Sequence, residues 1–204
     1  MRAICGLVLG LLCAAPTLAG DDTKAFFNGK NLDGFEGLIQ EYWSVKDGAI
    51  VGKTDGLKFN TFLCSTKKYG NFELSFQVKM TKSGNSGIQI RSKIHDMKHF
   101  AVTGPQCDMG GPYWGSLYGE NFGGMMKAAD GKLVNKILKP DDFNDYSIKA
   151  VGKHITIKLN GDTTVDQDFD KAPADGIIAF QLHAGPPMDV VFRNIQFKDL
   201  SEKK

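Results

Sequence analysis

Alternating apolar and polar residues, glycine-rich turns at short intervals and scarce helical periodicity predict an all-β chain built as a two-sheet antiparallel jelly-roll sandwich. The alternation is clearest where Phe72, Leu74, Phe76, Val78 and Met80 interleave with Glu73, Ser75, Gln77 and Lys79. Successive side chains of a strand point to opposite faces, so this strand buries one face and offers a polar one. Trp43-Ser44-Val45 and Ala49-Ile50-Val51 flank Lys46-Asp47-Gly48, a hairpin with Asp-Gly at its turn. Ile88 and Ile90 alternate with Gln89 and Arg91 after the turn Gly84-Asn85-Ser86-Gly87. Tyr146, Ile148 and Ala150, then Ile155, Ile157 and Leu159, form two runs joined by Val151-Gly152-Lys153-His154, and Asn160-Gly161 closes the second. Residues 177–182 and 190–197 supply the last strands. Residues 110–145, rich in glycine and aromatics, read as a long irregular loop of the kind that often carries function.

Residues 1–19 have the layout of a secretory signal peptide: Arg2, an apolar run from Ala3 to Ala15, and Thr17-Leu18-Ala19 at the cleavage point. The run falls short of the roughly 20 apolar residues that span a bilayer. Residues 20–204 are therefore expected as one exported domain, secreted or periplasmic, with no membrane span in the mature form. Intact-mass measurement of the exported protein should give a chain beginning at Gly20; a mass that retains residues 1–19 contradicts this. No internal repeat or composition break divides the mature chain. The 25 Lys and Arg against 23 Asp and Glu are interspersed, so no basic stripe exists to follow a nucleic acid. Of the four cysteines, Cys5 and Cys13 lie in the leader, and Cys64 and Cys107 are compatible either with a disulfide or with two buried thiols. Nothing in the sequence sets an oligomeric state.

The phosphate-binding loop, the dinucleotide fingerprint, His-Glu-x-x-His and Gly-x-Ser-x-Gly are all missing. What the chain offers instead is polar residues paired at i and i+2 within apolar strands: Gln89 with Arg91, Gln106 with Asp108, and Gln181 with His183. Each pair shares a face. Amides, a guanidinium, a carboxylate and an imidazole are the multidentate groups that bind hydroxyl-rich ligands. Glu73 lies on the polar face of its own strand. Tyr113, Trp114 and Tyr118 sit in the glycine-rich segment, where a ring can stack on the apolar face of a sugar. His183 falls at a strand end before Ala184-Gly185-Pro186-Pro187. No motif specifies a cofactor; a divalent metal held by Asp108, Glu73 or His183 is left open.

Phe27-Asn28-Gly29-Lys30-Asn31-Leu32-Asp33-Gly34-Phe35 resembles the opening of the 3-keto-disaccharide hydrolase domain family. The resemblance runs on through Trp43–Gly48, Tyr69–Leu74 and Gly84-Asn85-Ser86-Gly87-Ile88-Gln89-Ile90-Arg91. It continues in Gly104-Pro105-Gln106-Cys107-Asp108-Met109-Gly110 with Tyr113–Tyr118, and ends in Gln181-Leu182-His183 and Phe192-Arg193-Asn194-Ile195. The chain departs from the family pattern at Phe35, where a Trp is usual, and at Gly119–Gly124, where an acidic residue and arginines are common. The resemblance implies a concanavalin A-like fold and cleavage of glycosides already oxidised to a ketone at C3.

A C3 ketone acidifies the C2 proton, and the enolate formed by its removal expels the C1 substituent. That chemistry needs a base, a donor for the enolate oxygen and an acid for the leaving group. The sequence nominates Asp108 or His183 as base, Arg91 as enolate stabiliser and Glu73 as acid. Gln89, Gln106, Trp114, Tyr118 and Gln181 are nominated to orient the carbohydrate substrate. Direct hydrolysis by Glu73 and Asp108 as paired carboxylates is the second route. The alternative to an enzyme is a non-catalytic, lectin-like carbohydrate-binding module, which the same fold allows.

Overall fold

The computed structural model describes residues 26–81 and 84–201; the leader read in residues 1–19 lies outside them. Fourteen strands form two seven-stranded sheets, and every pairing among the named strands is antiparallel. In chain order they are β1 (Phe35–Glu36), β2 (Trp43–Lys46), β3 (Ala49–Thr54), β4 (Thr61–Ser65), β5 (Phe72–Met80), β6 (Ser86–Asp96), β7 (Ala101–Met109), β8 (Leu117–Glu120), β9 (Gly124–Lys127), β10 (Asn144–Val151), β11 (His154–Leu159), β12 (Asp162–Asp168), β13 (Ile177–Leu182) and β14 (Met188–Asp199). The first sheet runs β1-β4-β13-β6-β7-β8-β9 and the second β12-β11-β10-β5-β14-β3-β2. This is the jelly-roll sandwich that the alternation predicts.

The inner faces carry the main core. Leu74, Phe76, Val78, Tyr146, Ile148, Ile157 and Phe192 come from the second sheet, and Leu63, Ile88, Ile90, Cys107, Leu117, Phe180 and Leu182 from the first. Two-residue hairpins set the registers. Asp47 and Gly48 both have positive φ, as do Asn160 and Gly161, the pattern of a type I′ turn.

The first sheet is also buried on much of its outer face. Phe62, Cys64, Val102, Ile177 and Ala179, with Ile94 and Phe100 against them, form a second apolar cluster there. Register shifts between Gln89 and Lys93 and between Ile94 and Asp96 let the far end of the β6–β7 hairpin bring these side chains over β4 and β13. Cys64 in this cluster and Cys107 in the main core are both buried and free, on opposite faces of one sheet. Burial pushes both thiols up from their ordinary range, which leaves neither as a nucleophile.

The stretch read as a loop, 110–145, is largely structured. It holds β8, β9, one 3-10 turn at Gly111–Tyr113 and a helix, Gly131–Ile137. Asp130 caps that helix by accepting from the Lys132 N–H at 2.8 Å. Among the described residues, no helix is long and apolar enough to cross a membrane.

Candidate active site

The adjacent strands β13, β6, β7 and β8 share a parity that turns polar side chains to the outer face of the first sheet. Phe180, Leu182, Ile88, Ile90, Cys107 and Leu117 point into the core, so Gln181, Gln89, Gln106, Asp108 and Tyr118 point away from it. Register then brings them side by side: Gln89 pairs with Gln106, Gly87 with Asp108, and Gln106 with Tyr118. Gly87 is small for a reason. A Cβ at that position would come within 2.7 Å of the Gln106 side chain, which lies across it.

A chain of hydrogen bonds runs beneath the site. Ser92 Oγ donates to Gln89 Oε1 at 2.7 Å, Gln89 Nε2 to Gln106 Oε1 at 2.8 Å, and Gln106 Nε2 to Asp108 Oδ1 at 2.6 Å. Gln106 Nε2 also reaches Gln181 Oε1 at 3.3 Å, while Gln181 Nε2 is buried without a partner. Above this layer opens a cavity of about 310 Å³ lined by Gln106, Asp108, Tyr118 and His183 together with Asn60, Asn85, Tyr113 and Glu120.

Asp108 is only 6 % exposed, and its carboxyl is pushed up to about 7. Burial is the main cause, the nearby Glu120 charge adds to it, and the Gln106 hydrogen bond opposes it. The Tyr146 hydroxyl donates to the Asp108 carbonyl at 3.1 Å and pins the backbone. His183 Nδ1 lies 2.6 Å from the Ala184 carbonyl oxygen. A carbonyl only accepts, so Nδ1 carries the hydrogen and Nε2 of the neutral ring keeps its lone pair. The site thus combines a carboxyl that can hold a proton at neutral pH with an imidazole nitrogen able to take one.

Three nominated residues lie elsewhere. Arg91 sits at the β6 irregularity with φ 47°, which breaks the parity it was expected to share with Gln89. Its guanidinium, 2 % exposed, donates to the carbonyls of Gly70, Gly152 and Pro173 and to Asn71 Oδ1. It is a structural tie to the ends of the second sheet and cannot meet an enolate in the cavity. Glu73 lies on β5, in the other sheet, where it pairs with Lys149 at 2.8 Å; it cannot act as the acid. Trp114, 8 % exposed, belongs to the main core and presents no ring to a sugar. Gln89 and Gln181 are fully buried behind the cavity wall. They set the wall's polarity and are not surfaces a sugar can touch.

Sequence reasoning missed Asn60, Asn85 and Glu120. Glu120 follows Tyr118 at i+2 and shares its face, so the parity rule could have found it. Asn60 immediately precedes β4, with no periodic signal to mark it. Among the described residues, no group of three or more His, Cys, Asp and Glu side chains is arranged to hold a metal ion.

Comparison with known proteins agrees with this architecture. Two Parabacteroides distasonis proteins provisionally named glycosyl hydrolases superpose with TM-scores of 0.65 and 0.63. They are 22 % and 23 % identical to this chain, covering 86 % and 87 % of it and 93 % and 98 % of their own lengths. A carbohydrate-binding module from Bacillus subtilis, CBM66, gives a TM-score of 0.57 at 14 % identity over 81 % of this chain and 95 % of its own. These likenesses show the fold. No curated protein matches the chain. The model of the 3-keto-alpha-glucoside-1,2-lyase-like domain matches residues 22–198, nearly the whole described chain, and the protein therefore belongs to that family.

Proposed function

We propose that the cavity cleaves 3-keto-glycosides by elimination across C1 and C2 followed by hydration. The observation that carries this reading is the pairing, in one small polar cavity, of the buried Asp108 carboxyl near pKa 7 with His183, whose Nδ1 hydrogen is held by the Ala184 carbonyl so that Nε2 is the nitrogen left to act. His183 takes the C2 proton. The electron pair left on C2 delocalises onto the C3 oxygen, then returns to form the C1–C2 double bond as the C1–O bond breaks. Asp108, protonated, gives its proton to the departing oxygen. Water then adds at C1 and a proton returns to C2, which yields the free 3-keto sugar. With Arg91 tied into the fold, the Tyr113 and Tyr118 hydroxyls and the Asn85 amide are the donors that line the cavity for the enolate oxygen and the sugar hydroxyls.

A lectin-like site would use the same amides and tyrosines, but it gains nothing from a carboxyl held near neutral pKa. Export is proposed on the leader sequence, which would place the reaction outside the cytoplasm.

Cleavage in deuterated water tests the route. Elimination predicts one deuterium at C2 of the released 3-keto sugar, and His183→Ala should suppress both label and product by roughly 10²-fold or more. Release of unlabelled product would replace elimination by direct hydrolysis across Asp108 and Glu120, the two carboxyls of the cavity.

A further inference from the structure

Two carboxyls, Asp108 and Glu120, line the cavity, and their hydrogen-bond surroundings differ in kind. Glu120 is held through a chain whose direction is fixed by backbone. The Ala184 N–H donates to Asn60 Oδ1 at 2.8 Å, and Asn60 Nδ2 donates to Glu120 Oε1 at 3.1 Å. A backbone N–H cannot accept, so Asn60 Oδ1 must face Ala184 and its amide nitrogen must face Glu120. The oxygen that receives it is an acceptor. The carbonyl of Ala184 takes the His183 Nδ1 hydrogen, so the two peptide groups that flank the Ala184 Cα orient the Asn60–Glu120 pair and His183 respectively.

Asp108 is held through a chain that has no such anchor. Ser92 Oγ lies 2.7 Å from Gln89 Oε1 and 3.0 Å from the Ile90 carbonyl, so its hydrogen has two acceptors. With the hydrogen on Gln89, the amides deliver an N–H to an ionised Asp108. With it on Ile90 O, Ser92 Oγ accepts from Gln89, the Gln89 and Gln106 amides reverse, Gln106 Oε1 accepts from a protonated Asp108, and Gln181 reverses with them so that its Nε2 donates to Gln106 Oε1. Each direction leaves the Ser92–Gln89–Gln106 chain satisfied. Asp108 can thus gain or lose a proton without stranding a further buried partner, whereas the Asn60 N–H that faces Glu120 Oε1 is fixed in direction.

Building on the proposed reaction, we infer that Asn60 and Glu120 are positioning residues: Asn60 fixes the Glu120 carboxylate at the cavity, and its charge there keeps the proton on Asp108. Two carboxyls in one site resist double ionisation, and the better hydrated one keeps the charge. Glu120 is half-buried while Asp108 is buried. The other titratable groups around Asp108 are His183, Tyr113, Tyr118, Tyr146 and Cys107, and among the described residues no Lys or Arg lines the cavity to offset the Glu120 charge.

The test is a carbon-detected NMR titration of the Asp108 carboxyl in the substrate-free protein, compared with the pH profile of turnover. Glu120→Gln should lower the Asp108 midpoint by roughly one pH unit and move the alkaline limb of turnover down with it. Asn60→Ala, which frees Glu120 to swing away from the cavity, should lower the Asp108 midpoint in the same direction but by less. An Asp108 midpoint unmoved in folded Glu120→Gln, or unmoved in folded Asn60→Ala, overturns the inference. The titration needs no substrate, so a protein that shows these shifts without cleaving a 3-keto-glycoside would sink the proposed reaction and leave the division of the proton intact.

Discussion

Asp108→Asn is expected to cut turnover of a 3-keto-glycoside by 10²-fold or more while making the protein more stable above pH 7. The two effects have one cause. Burial favours the neutral carboxyl, so the folded-state pKa stands near 7, above the ordinary carboxylate value of 3.8. A group whose folded pKa is raised contributes stability that is complete below its unfolded pKa and is lost as pH rises through the folded one. For Asp108 that window runs from about 4 to about 7. Asn keeps the shape, stays neutral at every pH and has no proton to give. Wild type and variant should therefore melt alike near pH 4 and diverge towards pH 8, by about 2–4 kcal/mol for a shift of this size in a mostly buried group. Thermal unfolding at both pH values, beside rate measurements, checks both halves. Equal melting temperatures at pH 8 would mean that Asp108 is not penalised by its surroundings, and retained turnover would remove it from the chemistry.

Arg91→Ala is expected to act on stability instead, lowering it by about 3–5 kcal/mol. The guanidinium ties Gly70, Asn71, Gly152 and Pro173 together, and its loss strands buried carbonyl acceptors as well as deleting charge-assisted bonds. Gly176 packs so closely over Arg91 that a Cβ there would lie 2.2 Å from the Arg91 carbonyl carbon, so this corner has little room to relax. Lys at 91 should not restore the loss, because one ammonium cannot reproduce the planar fan of donors. Denaturant unfolding measures the cost. Activity of the folded fraction should keep its pH profile; a displaced profile would return Arg91 to the reaction.

The contrast between these two residues shows what the sequence could reveal. Strand parity puts Gln106 and Asp108 on one face, as the structure has them, because β7 runs regularly through those positions and period two is enough to assign a face; Tyr118, read as a loop aromatic, joins them only through β8. The same rule failed two residues after Gln89. A backbone irregularity at Arg91 leaves no mark in the alternation of apolar and polar residues, and only the positive φ exposes it. Glu73 lies on the polar face of its strand as expected, but in the other sheet from Asp108, since parity says nothing about which strands become neighbours. Trp114 shows a third limit: the 3-10 turn that ends at Tyr113 redirects the chain, so an aromatic read as a loop residue becomes a core residue. Asn60 acts through a bond to Ala184, 124 positions away, which no local pattern encodes.

The most direct test of the account is to incubate the purified protein, in parallel, with a 3-keto-glucoside and with the same glucoside unoxidised, and to follow release of the C1 substituent. The account predicts rapid release from the ketone alone, since only the C3 carbonyl makes the C2 proton removable by His183. Equal cleavage of the unoxidised glucoside, or saturable binding of both sugars with release from neither, would contradict it.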